Sequence, residues 1–393
     1  MEPPLDPGGT HRAAPFYQCV KTSLKSVVRD ESVIATLQDA ALRANGIATH
    51  TLQLLKLYQI HCYDTGVPLP TIDRQFVTSV MKVLCKEPTV GRQPSDETKR
   101  IKDTLRAFYE EHYKPSVVGE LDYRNMTTVL DYLATEVITM YETNVKQRFV
   151  EYVERFVNVS WEKKALVAII KKQRTTTARR RAATNALCAQ LRRIKTDLLN
   201  HDSVKKAHPM YHAWIDEQRK HVLPQRQLKK DSVHYDIQCL PQDYLHPMLY
   251  MMKAVEARGA SVKNTCPLRS EIISKHFRLD TTSLIKLCLT AEHGTQSEYL
   301  TKGNLVRHQA KVWGFFFKTE KKCFHMGDDA HAHTFDHQIE TDGVSCSILL
   351  KRRDTRAKEP KHTEGGSERY ATSTRWRTTY PYATSAWSPS TPT

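Results

Sequence analysis

The sequence predicts an α+β fold, mostly α, in which a helical lobe is inserted into a small antiparallel β-barrel and a disordered C-terminal tail follows. Three observations predict it. One strand-like run stands alone near the N-terminus, residues 31–259 carry apolar side chains largely at helical spacing, and strand-like runs return only after Gly259. A lone strand is not stable, so the first is expected to pair with the last ones.

The elements follow in order. Residues 1–14 (MEPPLDPGGTHRAA) are rich in Pro and Gly and are expected to be a disordered leader. Phe16 to Val28 is rich in β-branched and aromatic residues and reads as one strand. Asp30 or Ser32 then caps a helix in which Val33, Leu37, Ala41, Leu52, Leu55 and Ile60 share a face, ending near Asp64-Thr65-Gly66. The strongest pattern covers residues 125–157. Met126, Leu130, Leu133, Val137, Met140, Val145, Phe149, Val153 and Phe156 recur mostly three or four apart, which buries one stripe of a bundle helix. Further helices are expected at 96–113, 161–172, 179–199, 209–222 and 243–258, the last stopped by Gly259.

Past Gly259, residues 276–280 read as a strand running into Asp280, the cap of a helix over Thr281 to Leu289. Residues 311–318 (KVWGFFFK) read as a buried strand, because an unbroken apolar run fits a strand covered on both faces. Residues 334–350 read as a hairpin turning at Asp342-Gly343, which is expected to supply positive φ angles and to leave 344–350 as an open edge. Residues 355–393 hold fourteen Ser or Thr and four Pro without an apolar period, so they cannot offset their ordering entropy. The expected organisation is a leader at 1–14, a discontinuous β-domain at 15–30 plus 260–353, a helical lobe at 31–259 and a tail at 354–393.

The chain of 393 residues carries a formal charge of +16, of which +11 lies upstream of residue 351, so the folded part is itself basic. Such an excess calls for a polyanionic partner, nucleic acid before an acidic membrane surface. Nine scattered cysteines without a CxxC pair fit reduced thiols, and no run reaches the ~18 apolar residues of a membrane span, so a soluble intracellular protein is expected.

Residues 163–195 hold eleven Lys or Arg and no Asp or Glu. Lys163, Lys164, Lys171, Lys172, Arg174, Arg179, Arg180, Arg181, Arg192, Arg193 and Lys195 are the candidate nucleic-acid contacts, since cations along a helix neutralise phosphates and release counterions. The ordinary fate of a charge run is a solvated face, but an unbalanced run of this length favours a phosphate-bearing partner. Lys171-Lys172 and Arg179-Arg180-Arg181 also fit a nuclear import signal, which makes the nucleus the expected location and the cytoplasm the alternative.

Other constellations carry less. His325, His331, His333 and His337 with Cys323 are dense enough to raise a metal site, yet they flank an exposed Gly327-Asp328-Asp329 loop and meet no finger spacing, so no metal is expected. His208 and His212 stand four apart without the glutamate of a metalloprotease helix. The pairs Glu110-Glu111 and Asp328-Asp329 read as solvated. Trp313, Phe315, Phe316 and Phe317 offer bases a stacking surface, but burial in the core is the better reading. No phosphate-cradling Gly loop, nucleophile elbow or Cys/His dyad appears, and neither a cofactor nor a small-molecule substrate is expected.

Three stretches together resemble a known family. FVEYVERFVN (149–158) beside the basic helices, GASVKNTCPLRSEIISKHFRLDTTSLIKLCL (259–289), and KVWGFFF (311–317) followed by FDHQIETDGVSCSILLKR (335–352) stand in the order in which similar stretches precede the nuclease core of Fanzor proteins, the eukaryotic relatives of transposon-encoded TnpB nucleases. The resemblance covers roughly residues 15–353 and is sharpest at Pro267-Leu268-Arg269 and Thr341-Asp342-Gly343. It implies a wedge-like β-barrel interrupted by a helical recognition lobe, the two gripping a guide RNA and the guide–target duplex by their backbones. It adds Arg269 to the candidate contacts and implies structured RNA and duplex DNA as partners.

The sequence departs from that family where chemistry is concerned. Family nucleases continue into an RNase-H-like core with three catalytic carboxylates that hold two metal ions, and with a CxxC-type zinc module; none of these is legible here. Asp342 lies alone in a turn and does not substitute for them. The expectation is therefore a nucleic-acid-binding portion without catalytic residues. The alternatives are a misassembled gene of an active RNA-guided endonuclease and a helical scaffold whose basic face binds acidic protein.

Overall fold

The computed structural model describes residues 17–85, 95–114, 121–200, 204–261, 264–269, 274–326 and 333–352. The leader, the tail and most of the His-rich loop, including Asp328-Asp329 and His331, lie outside the described residues. The described elements belong to one compact unit within residues 1–355 and share a continuous apolar core.

Strand β1 (Tyr17–Ser23) is shorter than its sequence suggests. At Leu24 the chain turns into a single helical turn, α1 (Leu24–Val27), with Leu24 and Val27 fully enclosed. Ser26 explains the change: its hydroxyl donates to the Ser23 carbonyl at 2.7 Å and meets the Thr22 hydroxyl at 3.0 Å, local bonds that compete with a strand ladder.

Helix α2 (Glu31–Thr65) starts at Asp30, whose carboxylate accepts from Ser32 N at 2.8 Å, and stops at Gly66 with φ 70°. Its inner face runs through Val33, Leu37, Ala41, Ala44, Ala48, Leu52 and Leu55, with small residues at the centre admitting close neighbours. α3 (Arg74–Leu84), capped by Asp73, and α4 (Asp96–Phe108), capped by Ser95, follow. α5 (Thr127–Ser160) is the axis of the lobe and packs on α2 and α3 through the apolar stripe that its sequence predicts, with Leu130, Leu133, Val137, Val145, Phe149, Val153 and Phe156 all buried. α6 (Lys163–Lys172) and α7 (Thr177–Leu199) form a helical hairpin, followed by α8 (His212–Val222), α9 (Val233–Cys239) and α10 (Leu245–Glu256).

The chain then returns to strands. β2 (Phe277–Asp280) leads into α11 (Thr281–Cys288) with Asp280 accepting from Ser283 N at 2.8 Å, as a cap should. α12 (Gln296–Leu300) and α13 (Lys302–Phe316) come next, then β3 (His325–Met326), β4 (His333–Thr341) and β5 (Ser345–Arg352). Residues 311–318 are thus mainly helix, not the expected strand. Val312, Trp313 and Phe316 lie at helical spacing and face inward, and the Trp313 indole donates to Thr281 Oγ1 at 3.0 Å. Only Phe317, just past the helix, is extended, and it bridges to Val28. These rings belong to the core, so they offer no stacking platform.

The sheet is an antiparallel half-barrel in the order β1-β5-β4-β2, with β3 also on β4. β1 pairs with β5 from Tyr17↔Lys351 to Ser23↔Ser345, so the first and last strands are neighbours across the inserted lobe. β5 also pairs with β4 along its other side, which makes 345–352 a central strand and corrects the expected open edge. In the β4–β5 turn only Gly343 has a positive φ, 87°. Asp342 contributes differently, its carboxylate accepting from Val344 N at 2.9 Å and Ser345 N at 2.7 Å.

Candidate nucleic-acid interface

The basic run maps onto the α6–α7 hairpin. α5 ends at Ser160, and Trp161 packs edge-on against Tyr211 and Trp214, with centroids 4.7 and 5.5 Å away. Glu162, in the left-handed region at φ 44°, then redirects the chain into α6. Nothing in α6 is buried, and nothing in α7 is buried before Leu191. The hairpin therefore projects from the bundle, with even Leu166 and Ile169 left exposed.

Its cations divide by surroundings. Lys164, Lys171, Lys172, Arg174, Arg179, Arg181, Arg192 and Arg193 are exposed, and none of them makes an ion pair among the described residues. Arg181 and Arg192 are eleven residues apart, close to three turns, so they share a face about 16 Å apart along the helix. Arg180 is half-buried and its guanidinium donates to the Lys171 carbonyl at 3.0 Å, covering one of the unsatisfied carbonyls at the end of α6. Thr176 caps α7 by accepting from Arg179 N at 3.3 Å, so the hairpin bend is held from both helices. Lys195 pairs with Glu154 of α5 at 2.8 Å, and that bond, with the nearby Lys163 and Arg192, holds the Glu154 carboxyl below its ordinary range.

Arg269 does not join this surface. Its side chain is 3 % exposed and is paired with Glu136 of α5, which makes it a tie between the lobe and the segment after Gly259. A phosphate has no route to a guanidinium so enclosed and already neutralised.

A second basic cleft was not legible in the sequence. About 730 Å³ lies beside the loop after α8, lined by Arg219, Lys220 and Arg226 with Leu223, Pro224 and Leu228. Its cations alternate with Asp216 and Asp231, so composition gives no run to notice. Arg226 is committed elsewhere: it grips the enclosed Asp236 carboxylate through two bonds of 2.9 Å, and Asp236 also accepts from the Tyr244 hydroxyl at 2.7 Å.

The remaining candidates are locally satisfied. His212 Nε2 meets the Ala207 carbonyl at 2.9 Å, His325 Nε2 the Thr319 carbonyl at 2.8 Å, and Glu110 pairs with Lys114 at 2.6 Å. Among the described residues no three His, Cys, Asp or Glu side chains are grouped to hold a metal ion. Among them, too, no helix is long and apolar enough to cross a membrane.

One family profile, described as a domain of unknown function (DUF8286), matches residues 277–352. Those residues run from the first residue of β2 to the last of β5, so the match delimits the returning part of the sheet with α11 to α13 between its strands. No curated protein matches the chain.

Proposed function

We propose that the chain binds nucleic acid through phosphate backbones, in the manner of the Fanzor proteins it resembles, with the α6–α7 hairpin as its main contact surface and without cutting the strand. The observation that carries this reading is a projecting hairpin with eight exposed cations, not one of them ion-paired among the described residues. A solvated structural face usually interleaves both signs, whereas this one keeps a uniform positive potential that a row of phosphates matches. Structured RNA and duplex DNA are the partners the wedge-and-lobe resemblance favours, since both present phosphates at regular spacing. Strand cleavage is not assigned, because among the described residues no three carboxylates are grouped as the family's are. The exposed Lys171-Lys172 and Arg179 and Arg181 also support a nuclear location.

The test is binding of a fluorescent RNA hairpin and a short DNA duplex by the full chain over a salt series. Replacing Lys171, Lys172, Arg179 and Arg181 by Gln should weaken binding to both and flatten the log–log salt slope by about 0.9 for each phosphate no longer neutralised. Binding and slope unchanged by the four substitutions would refute the hairpin as the interface. If the wild-type chain shows no salt-sensitive binding to either, the nucleic-acid reading itself fails.

A further inference from the structure

At the base of the hairpin, α5, α6 and α7 enclose a crevice of about 150 Å³. Lys163, Arg192 and Lys195 reach it from two helices, Val157 and Leu191 form its buried floor, and Cys188 lies on its wall. One acid, Glu154, enters from α5 and takes a bond from Lys195. Three cations thus surround one carboxylate, which leaves two positive charges uncompensated beside an apolar floor that strengthens any charge interaction there.

The two partners of that bond differ in freedom. The Glu154 side chain is 53 % exposed and the Lys195 side chain 23 %. Glu154 is thus the more solvent-accessible partner and Lys195 the more enclosed one. The protein's own carboxylate occupies the place that the surrounding charges prepare for an anion.

Resting on the nucleic-acid reading of the hairpin, we propose that this crevice is a phosphate subsite and that Glu154 is its built-in competitor: a phosphodiester of the bound strand enters between Lys163, Arg192 and Lys195 and takes over the bond that Lys195 makes to Glu154. The subsite anchors the strand at the base of the hairpin, where Lys195 is the partly enclosed cation, and the exposed cations further out follow the backbone. Glu154 lowers affinity for weakly held anions, since each must displace it first. Positive charge in the free protein is partly screened until a phosphate arrives.

The experiment pairs a charge-neutral substitution with a chemical probe in the crevice wall. Glu154→Gln should bind the RNA hairpin and the DNA duplex about threefold more tightly, the effect expected for freeing one partly exposed ion pair, and should steepen the salt slope by about one unit. Lys195→Gln should do the opposite on both counts. In parallel, alkylation of Cys188 by iodoacetamide, followed by mass spectrometry, should be slowed by the duplex in the wild-type chain, and slowed at lower duplex concentration in Glu154→Gln. Salt-sensitive binding that persists with Glu154→Gln unchanged and Cys188 unprotected would overturn the subsite while leaving the hairpin interface standing. Protection of Cys188 by inorganic pyrophosphate but not by duplex or RNA would also overturn it, marking a site for small free anions. Loss of all salt-sensitive binding in the wild-type chain would overturn the interface and the subsite together.

Discussion

Gly343 rests against Gln38: a Cβ built on Gly343 would stand 2.8 Å from the Gln38 Cα. The turn between β4 and β5 thus abuts α2, and backbone meets backbone with no room for a side chain. Gly343→Ala combines a positive φ that Ala adopts poorly with a clash that no rotamer relieves. The expected loss is roughly 2–4 kcal/mol of folding free energy, read as a lower midpoint in chemical denaturation. An unchanged midpoint would mean that the turn does not hold this position against α2.

Asp236 gives the fold a pH dependence. Burial alone would push its carboxyl up, but the Arg226 guanidinium, the Lys229 N–H and the Tyr244 hydroxyl outweigh burial and hold it at about 2. The folded value lies below that of the unfolded chain, so the stabilisation is present above about pH 4 and is lost as pH falls toward 2. The contribution at neutral pH is about 2 kcal/mol. Asp236→Asn should flatten the acid limb of a stability–pH curve and, by leaving Arg226 half-paired, lower stability by roughly 3 kcal/mol at pH 7.

Adjacent arginines on α7 should behave differently. Arg181→Gln removes an exposed cation and should weaken nucleic-acid binding with no change in thermal midpoint. Arg180→Gln removes the bond to the Lys171 carbonyl and should cost about 1 kcal/mol in hairpin stability, seen as faster amide exchange at the end of α6. Equal exchange in both variants would deny Arg180 its capping role.

Arg269→Gln should destabilise the fold by roughly 1–2 kcal/mol, because the enclosed side chain gives up its charge-assisted bond to the half-exposed Glu136, while leaving the salt slope of binding as it was. Binding titrations beside denaturation curves separate the two effects. A flatter slope without destabilisation would return Arg269 to the contact surface.

What the sequence discloses, and what it withholds, follows from the range of the interactions involved. The α5 stripe is legible because one side of a long helix is buried along its whole length, so the period repeats many times. The caps at Asp30 and Asp280 are legible because each bonds an N–H two or three residues away. The helix over Lys302–Phe316 is hidden by its composition: its first two turns are mostly polar, with Leu305 alone packed against the core, and the aromatic run at its end satisfies a strand pattern as readily as a helical one. The eleven cations of the hairpin are plain in the sequence, whereas the partners that remove Arg269 and engage Lys195 are not. Glu136 and Glu154 lie 133 and 41 positions away, distances over which no local pattern operates.

The central place of β5 in the sheet has a consequence for how the protein is made. β1 leaves the ribosome first, yet its only ladder partner among the described residues is β5, whose residues follow it by more than three hundred positions. Even the long-range contact of α5 with α10 involves residues made before β5, so the lobe can begin to assemble while β1 still lacks its partner. Because β5 is the strand that joins β1 to β4, β1 can enter the sheet only once β5 has been made.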